Sequence, residues 1–209
     1  RSRDYEDARS AYVIVKMQDG IFQPQITTFK ELYNHYRNII IGKFNPMSLA
    51  KILFKEKFGY SIENEPINSL NRKLFNLAFF NPVDIWTTLA DKLAVRKFVK
   101  SKGCADILLT VYKYWDNVGV IDFSSLPNSF VLKCNHDNGS TILVYDKFFV
   151  DKSFIEDFYR RKLSLPFGIE TAEPHYLGIK PFVFAEELLE NDKQFSSGLV
   201  SYKFFSVHG

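Results

Sequence analysis

The chain has 209 residues, of which 46% are hydrophobic and 24% charged, which is too much apolar material for a disordered polymer and enough for a folded core. Lys and Arg number 27 against 24 Asp and Glu, a formal +3 that excludes a protein held on nucleic acid or an anionic membrane by charge alone. Apolar runs such as Ile39-Ile40-Ile41 and Ile107-Leu108-Leu109 span only a few residues, whereas a bilayer helix needs about 20, so no transmembrane segment is expected. Cys104 and Cys134 read as free thiols of a reducing compartment, the cytoplasm by default. Arg1 in place of Met, and a strand-like run just before Gly209, lead to the expectation of a piece of a longer product.

In chain order, 11–17 (AYVIVKM) is expected to be a short strand closed by Gln18-Asp19-Gly20. Thr28 and Glu31 form a capping box, after which Phe29, Leu32, Tyr33, Tyr36 and Ile40 recur at helical spacing up to Gly42. Asn45-Pro46 opens a second helix, with Leu49, Ile52, Leu53 and Phe54 apolar and Gly59 closing it. A third helix is expected over 67–80, stopped by Asn81-Pro82. These helices carry no cluster of His, Cys or carboxylates and read as a packing layer.

From Trp86 the pattern alternates. An amphipathic helix is expected over 89–102, with Leu89, Ala90, Leu93, Ala94 and Phe98 on one side and Gly103 at its end. Strands are expected at 107–114, 130–134, 141–145, 182–187 and 200–207, interrupted by a helix at 154–163. The fold class is therefore α+β (α/β-like): a mixed sheet with covering helices, preceded by a helical N-terminal region.

Three segments can carry chemistry. In Phe130-Val131-Leu132-Lys133-Cys134-Asn135-His136-Asp137-Asn138-Gly139-Ser140-Thr141, a strand with a lysine near its end enters a short polar loop. Such a hairpin sets a cation and free backbone N–H groups around a polyphosphate; the alternative is an ordinary hairpin with a tight Asn138-Gly139 turn and a solvated Lys133. In Phe182-Val183-Phe184-Ala185-Glu186-Glu187-Leu188-Leu189, an apolar strand ends in two carboxylates, fit to accept an adenine amino hydrogen or simply solvated. Between Leu89 and Gly103 five cations stand against Asp91, a net +4. On one helix, Lys92 and Arg96 would share a face and could both meet a phosphate, although late cations also suit the helix dipole.

These segments, in the order Leu89-Ala90-Asp91-Lys92-Leu93-Ala94-Val95-Arg96, Leu132-Lys133-Cys134-Asn135-His136, Glu173-Pro174-His175-Tyr176, Glu186-Glu187-Leu188-Leu189-Glu190 and Tyr202-Lys203-Phe204-Phe205, resemble the TupA-like ATP-grasp family of bacterial cell-surface polysaccharide biosynthesis. The resemblance covers about 68–209. It implies that Lys133 contacts the α- and β-phosphates of ATP, that Asn135, His136, Gly139, Ser140 and Thr141 belong to a mobile phosphate-covering loop, and that Lys92 approaches the phosphates from the other side. It further implies that Glu186 accepts the adenine amino group, that Glu187 to Leu189 form the hinge along the ring edge, and that Lys203 faces phosphate or ribose. Ser201 departs from the acid that the family pattern commonly has there.

The implied organisation is a mainly helical region over 1–85, the small lobe of an ATP-grasp fold over 86–185, and a hinge with the start of the large lobe over 186–209. Mg²⁺ is implied with ATP, its ligands expected beyond residue 209; no metal ligand and no catalytic residue is assigned within the chain. The implied activity is that of a carboxylate–amine ligase acting through an acyl phosphate. Its substrates would be a nucleotide, a sugar or uronate carboxylate and an amine, in the cytoplasm or peripheral to the inner membrane. The alternatives are a non-catalytic nucleotide- or partner-binding fragment, with an exposed sheet edge covered by another chain or an oligomer contact, and a glycosyltransferase-associated protein. The last lacks any Asp-x-Asp triplet to support it.

Overall fold

A computed structural model describes residues 29–164 and 167–189. The strand expected at 11–17, the cap Thr28, the strand expected at 200–207 and Lys203 lie outside the described residues.

Three helices come first: α1 (Phe29–Phe44), α2 (Pro46–Phe58) and α3 (Leu70–Phe79). The start and stop of α2 follow from local chemistry. The Asn45 side chain accepts a hydrogen bond from the Ser48 N–H at 3.0 Å, Pro46 needs no partner for a missing N–H, and Gly59 ends the helix at φ +81°. Ser69 caps α3 in the same way by accepting from the Arg72 N–H at 3.1 Å.

Two expectations about α1 are corrected. Gly42 does not end it; the helix runs on to Phe44, and Gly42 is where the helix presses on another segment. A Cβ there would lie 2.0 Å from the Ile169 carbonyl oxygen, so only glycine fits. Nor is the apolar stripe a packing face. Phe29, Tyr33, Tyr36 and Ile40 are all exposed, Phe29 at 86%, and the side that meets the rest of the chain carries His35, Ile39 and Gly42, spaced at i, i+4 and i+7.

The single helix expected over 89–102 is two helices, α4 (Ile85–Ala90) and α5 (Ala94–Ser101). Asp91 breaks the run: its backbone is extended, and its carboxylate accepts from the Leu93 N–H at 2.8 Å and the Ala94 N–H at 3.2 Å, capping the helix that follows. Local capping outcompetes the amphipathic periodicity. Lys92 and Arg96 consequently do not share a helix face; the Arg96 guanidinium donates to the Leu109 carbonyl instead.

Four strands, β1 (Val111–Trp115), β2 (Phe130–Cys134), β3 (Ile142–Val144) and β4 (Val183–Glu186), form a sheet in the order β1-β4-β2-β3. The α+β class holds, but each pairing among the described strands is antiparallel rather than mixed, because β4 enters between β1 and the β2–β3 hairpin running against both neighbours. The first strand begins later than expected, since 105–107 forms a 3₁₀ turn. The long helix α6 (Lys152–Ser164) covers one face, with the Phe154 N–H donating to Asp151 at its start.

Strand alternation sorts the side chains. Phe130, Leu132 and Cys134 of β2, Ile142 and Val144 of β3, and Val183 and Ala185 of β4 pack with Ile155, Phe158 and Tyr159 of α6 into the core. Val131, Lys133, Phe184 and Glu186 therefore project from the opposite face, which puts the candidate lysine and carboxylate on adjacent strands, on the same side.

Candidate functional site

In the β2–β4 register Val131 lies opposite Glu186 and Lys133 opposite Phe184, so Lys133 and Glu186 are diagonal neighbours. Their side chains form a direct ion pair, Nζ to Oε1, with the carboxylate 9% exposed and the ammonium 26% exposed. The two residues singled out 53 positions apart in sequence thus meet, and the ammonium keeps N–H groups beyond the one on Glu186 for an anionic ligand.

The loop between β2 and β3 differs from the expected free-standing polar flap. Asn135, His136, Asp137 and Ser140 are all buried. Asn135 and Ser140 tolerate this because they are paired. The Asn135 amide donates to Asp91 Oδ1 and to the Lys180 carbonyl, both at 3.0 Å, and its oxygen accepts from the Phe182 N–H at 2.7 Å. Both amide N–H groups are therefore used on protein partners, and Asn135 clamps the Asp91 turn to the entry of β4 instead of offering a donor to phosphate.

Ser140 holds the other end of the loop. Its hydroxyl donates to Asp137 Oδ1 and accepts from the Cys134 N–H at 2.8 Å, while its carbonyl accepts from the Tyr159 hydroxyl at 2.7 Å. Burial raises the Tyr159 pKa well above the usual phenol range and pushes the Cys134 thiol up to about 12, so both stay neutral in the interior. Gly139 takes φ +81°, the conformation the Asn138-Gly139 turn requires, and half-buried Thr141 leads into β3.

Lys92 also faces the loop, and its partners there are backbone. Its ammonium donates to the Cys134 carbonyl at 3.0 Å and to the Asp137 carbonyl, bracketing the loop from the Asp91 turn. Burial lowers its pKa from the ordinary lysine value, against the attraction of Asp137. Asp91-Lys92 therefore works as a two-sided device, the aspartate gripping Asn135 and the lysine gripping the carbonyls on either side of it.

At the end of β4 the Glu187 backbone N–H donates to the Thr110 carbonyl at 2.9 Å and its carboxylate accepts from the Thr110 N–H at 3.2 Å, tying the exit of β4 to the residue before β1. Leu189 beside it is exposed. His136 and His175 do not come together with carboxylates or cysteines into a metal centre: among the described residues no group of three or more His, Cys, Asp or Glu is placed to hold an ion.

Two residues outside the expected set belong to this region. Asp137, buried in the loop, anchors Ser140 and lies 3.8 Å from the Lys162 ammonium of α6. The Asp137-x-x-Ser140 spacing is the signal that reveals it, since a carboxylate three residues before a hydroxyl across a glycine turn closes a tight loop. Lys162 carries no local signal and is recruited by the packing of α6.

No curated protein and no solved structure matches the chain. A family model described as TupA-like ATPgrasp matches residues 73–209, the stretch that contains the Asp91-Lys92 turn, the β2–β3 loop and the Lys133–Glu186 pair. With about two thirds of its length matched, and with the two motifs brought side by side on one sheet face, the chain belongs to the TupA-like ATP-grasp family.

Proposed function

We propose that the chain binds ATP at the Lys133–Glu186 face and serves a carboxylate–amine ligase of surface polysaccharide assembly. The observation that carries this reading is the pairing of a cation with a carboxylate acceptor on adjacent strands. A nucleotide presents both complements: phosphate oxygens for the ammonium and an exocyclic amino group for the carboxylate. The Lys133–Glu186 contact holds the two side chains in place for these partners.

The chemistry proceeds in two steps. A substrate carboxylate oxygen attacks the γ-phosphorus of ATP, forming an acyl phosphate and releasing ADP. The amine nitrogen then attacks the acyl carbon, the new C–N bond forms, phosphate leaves with the C–O electron pair, and the nitrogen gives up a proton. Lys133 contributes positive charge at the phosphates, and the Lys92-bracketed loop contributes position. The helical region over 1–85, the small lobe over 86–185 and the hinge from 186 are the proposed functional divisions. The free thiols of Cys104 and Cys134 suit a cytoplasmic location.

Calorimetric titration with ATP and Mg²⁺ tests the nucleotide reading. Binding is expected, and Lys133→Ala should weaken it by about 10- to 100-fold, the worth of a charge-assisted hydrogen bond. An absence of ATP binding, or an undiminished affinity in Lys133→Ala, overturns it. ADP release that requires both a carboxylate and an amine tests the ligase reading; ATP binding without such turnover favours a non-catalytic binding module.

A further inference from the structure

We propose that a cavity beside the β2–β3 loop is the subsite for a small primary amine, held through Asp137 and Glu170. Naming the amine as a substrate rests on the ligase reading above. The cavity measures about 190 Å³. That is room for roughly six waters at about 30 Å³ each, the scale of a small molecule rather than a polymer segment. Its walls come from separate parts of the chain: Ile39 of α1, Asp137 of the loop, Lys162 of α6, and Phe167, Ile169 and Glu170 of the 167–170 turn.

The polar lining asks for a donor. Asp137 is a buried residue whose Oδ1 accepts from Ser140, whereas Oδ2 has no hydrogen-bond partner and sits 3.8 Å from Lys162, beyond hydrogen-bond length. A buried carboxylate oxygen that has a charge at ion-pair distance but no hydrogen bond is improved by a ligand N–H. Glu170 adds a second carboxylate against the one ammonium of Lys162, so the lining carries one excess negative charge and favours an amine over an anion. Ile39, Phe167 and Ile169 supply the apolar surface for the carbon skeleton.

The walls are held in place. His35 Nδ1 lies 2.7 Å from Glu170 Oε2, fixing that carboxylate, and the absence of a side chain at Gly42 lets α1 approach the Ile169 backbone. His35, Ile39 and Gly42 share one face of α1, so a single helix orients Glu170, lines the cavity and sets its width. The cavity adjoins the loop that follows the Lys133 strand, where the Asp137 carbonyl is held by Lys92.

Ligand-observed NMR on the full chain tests the assignment, with glucosamine and glycinamide as probes and their N-acetyl derivatives as controls. Both primary amines should bind at millimolar concentration, and acetylation should weaken binding by about tenfold or more, the loss of a charge-assisted contact. Asp137→Asn and the cavity-filling Ile39→Trp should each reduce amine binding by at least a comparable factor, while Ile39→Trp leaves ATP affinity unchanged. Failure of both amines to bind, equal binding of the acetylated forms, or undiminished binding in Ile39→Trp overturns the subsite. ATP binding with no amine binding sinks the subsite alone. Amine binding with no ATP binding sinks the ligase reading alone.

Discussion

Helix α1 and the β2–β3 loop invert the usual rule of polarity. The helix shows Phe29, Tyr33, Tyr36, Ile40 and Phe44 to solvent, whereas the loop buries Asn135, His136, Asp137 and Ser140. The difference lies in where partners are found. Asn135 meets three protein partners and Ser140 meets Asp137, Cys134 and Tyr159, so their burial is compensated, while Asp137 keeps one buried oxygen, Oδ2, without a hydrogen bond. Along α1 the packing face is set by the close approach at Gly42 and the His35–Glu170 contact, which turns the aromatic stripe outward. The buried polar residues of the loop are thus anchors, and the aromatic stripe of α1 is surface.

The contrast is breakable by mutation. The largest effect is expected from Asn135→Ala, which leaves the Phe182 N–H, the Lys180 carbonyl and Asp91 without their shared partner. Denaturant unfolding should show a loss of about 3 kcal/mol, from several buried groups at roughly 1–3 kcal/mol each with partial relaxation. A loss below about 0.5 kcal/mol would make the loop an ordinary solvated hairpin.

Gly42→Ala comes next. The added methyl meets a backbone carbonyl, which has little freedom to retreat, so a cost of about 2 kcal/mol is expected by overpacking. Thermal unfolding measures it, and the same variant should lower amine binding if the α1 face sets the cavity width. A neutral Gly42→Ala would mean that α1 is loosely held and that its stripe has no fixed orientation.

The smallest effect sharpens the comparison from the other side. Replacing Tyr36 or Phe29 by Lys should change stability by no more than about 0.5 kcal/mol, as for exposed positions in general. A destabilisation of about 2 kcal/mol in either variant would show that the stripe is buried in the working protein.

Much of the fold was legible from local signals. The strand at 130–134 matches β2 to the residue, since continuous apolar residues bounded by turn formers leave little choice. Asn45-Pro46 and Gly59 mark α2 because caps and left-handed glycines act within a few residues. The residues singled out do come together: Lys133 pairs with Glu186, and Lys92 faces the loop. The wiring of the site was not legible, because Asp91 breaks a helix that periodicity alone would continue, and Asn135 spends its amide on residues 44 and 45 positions away.

The amino-acid sequence by itself determined the family, the α+β class, the strands of the hairpin and the residues on which nucleotide recognition is proposed to rest, since each depends on residue types at short spacing. Tertiary structure alone decided which side of α1 packs, that Lys92 is turned to backbone carbonyls, and that Ile39, Asp137, Lys162 and Glu170 line one cavity. Those outcomes depend on contacts between segments far apart in the chain, and free energy of packing, not local propensity, selects among them.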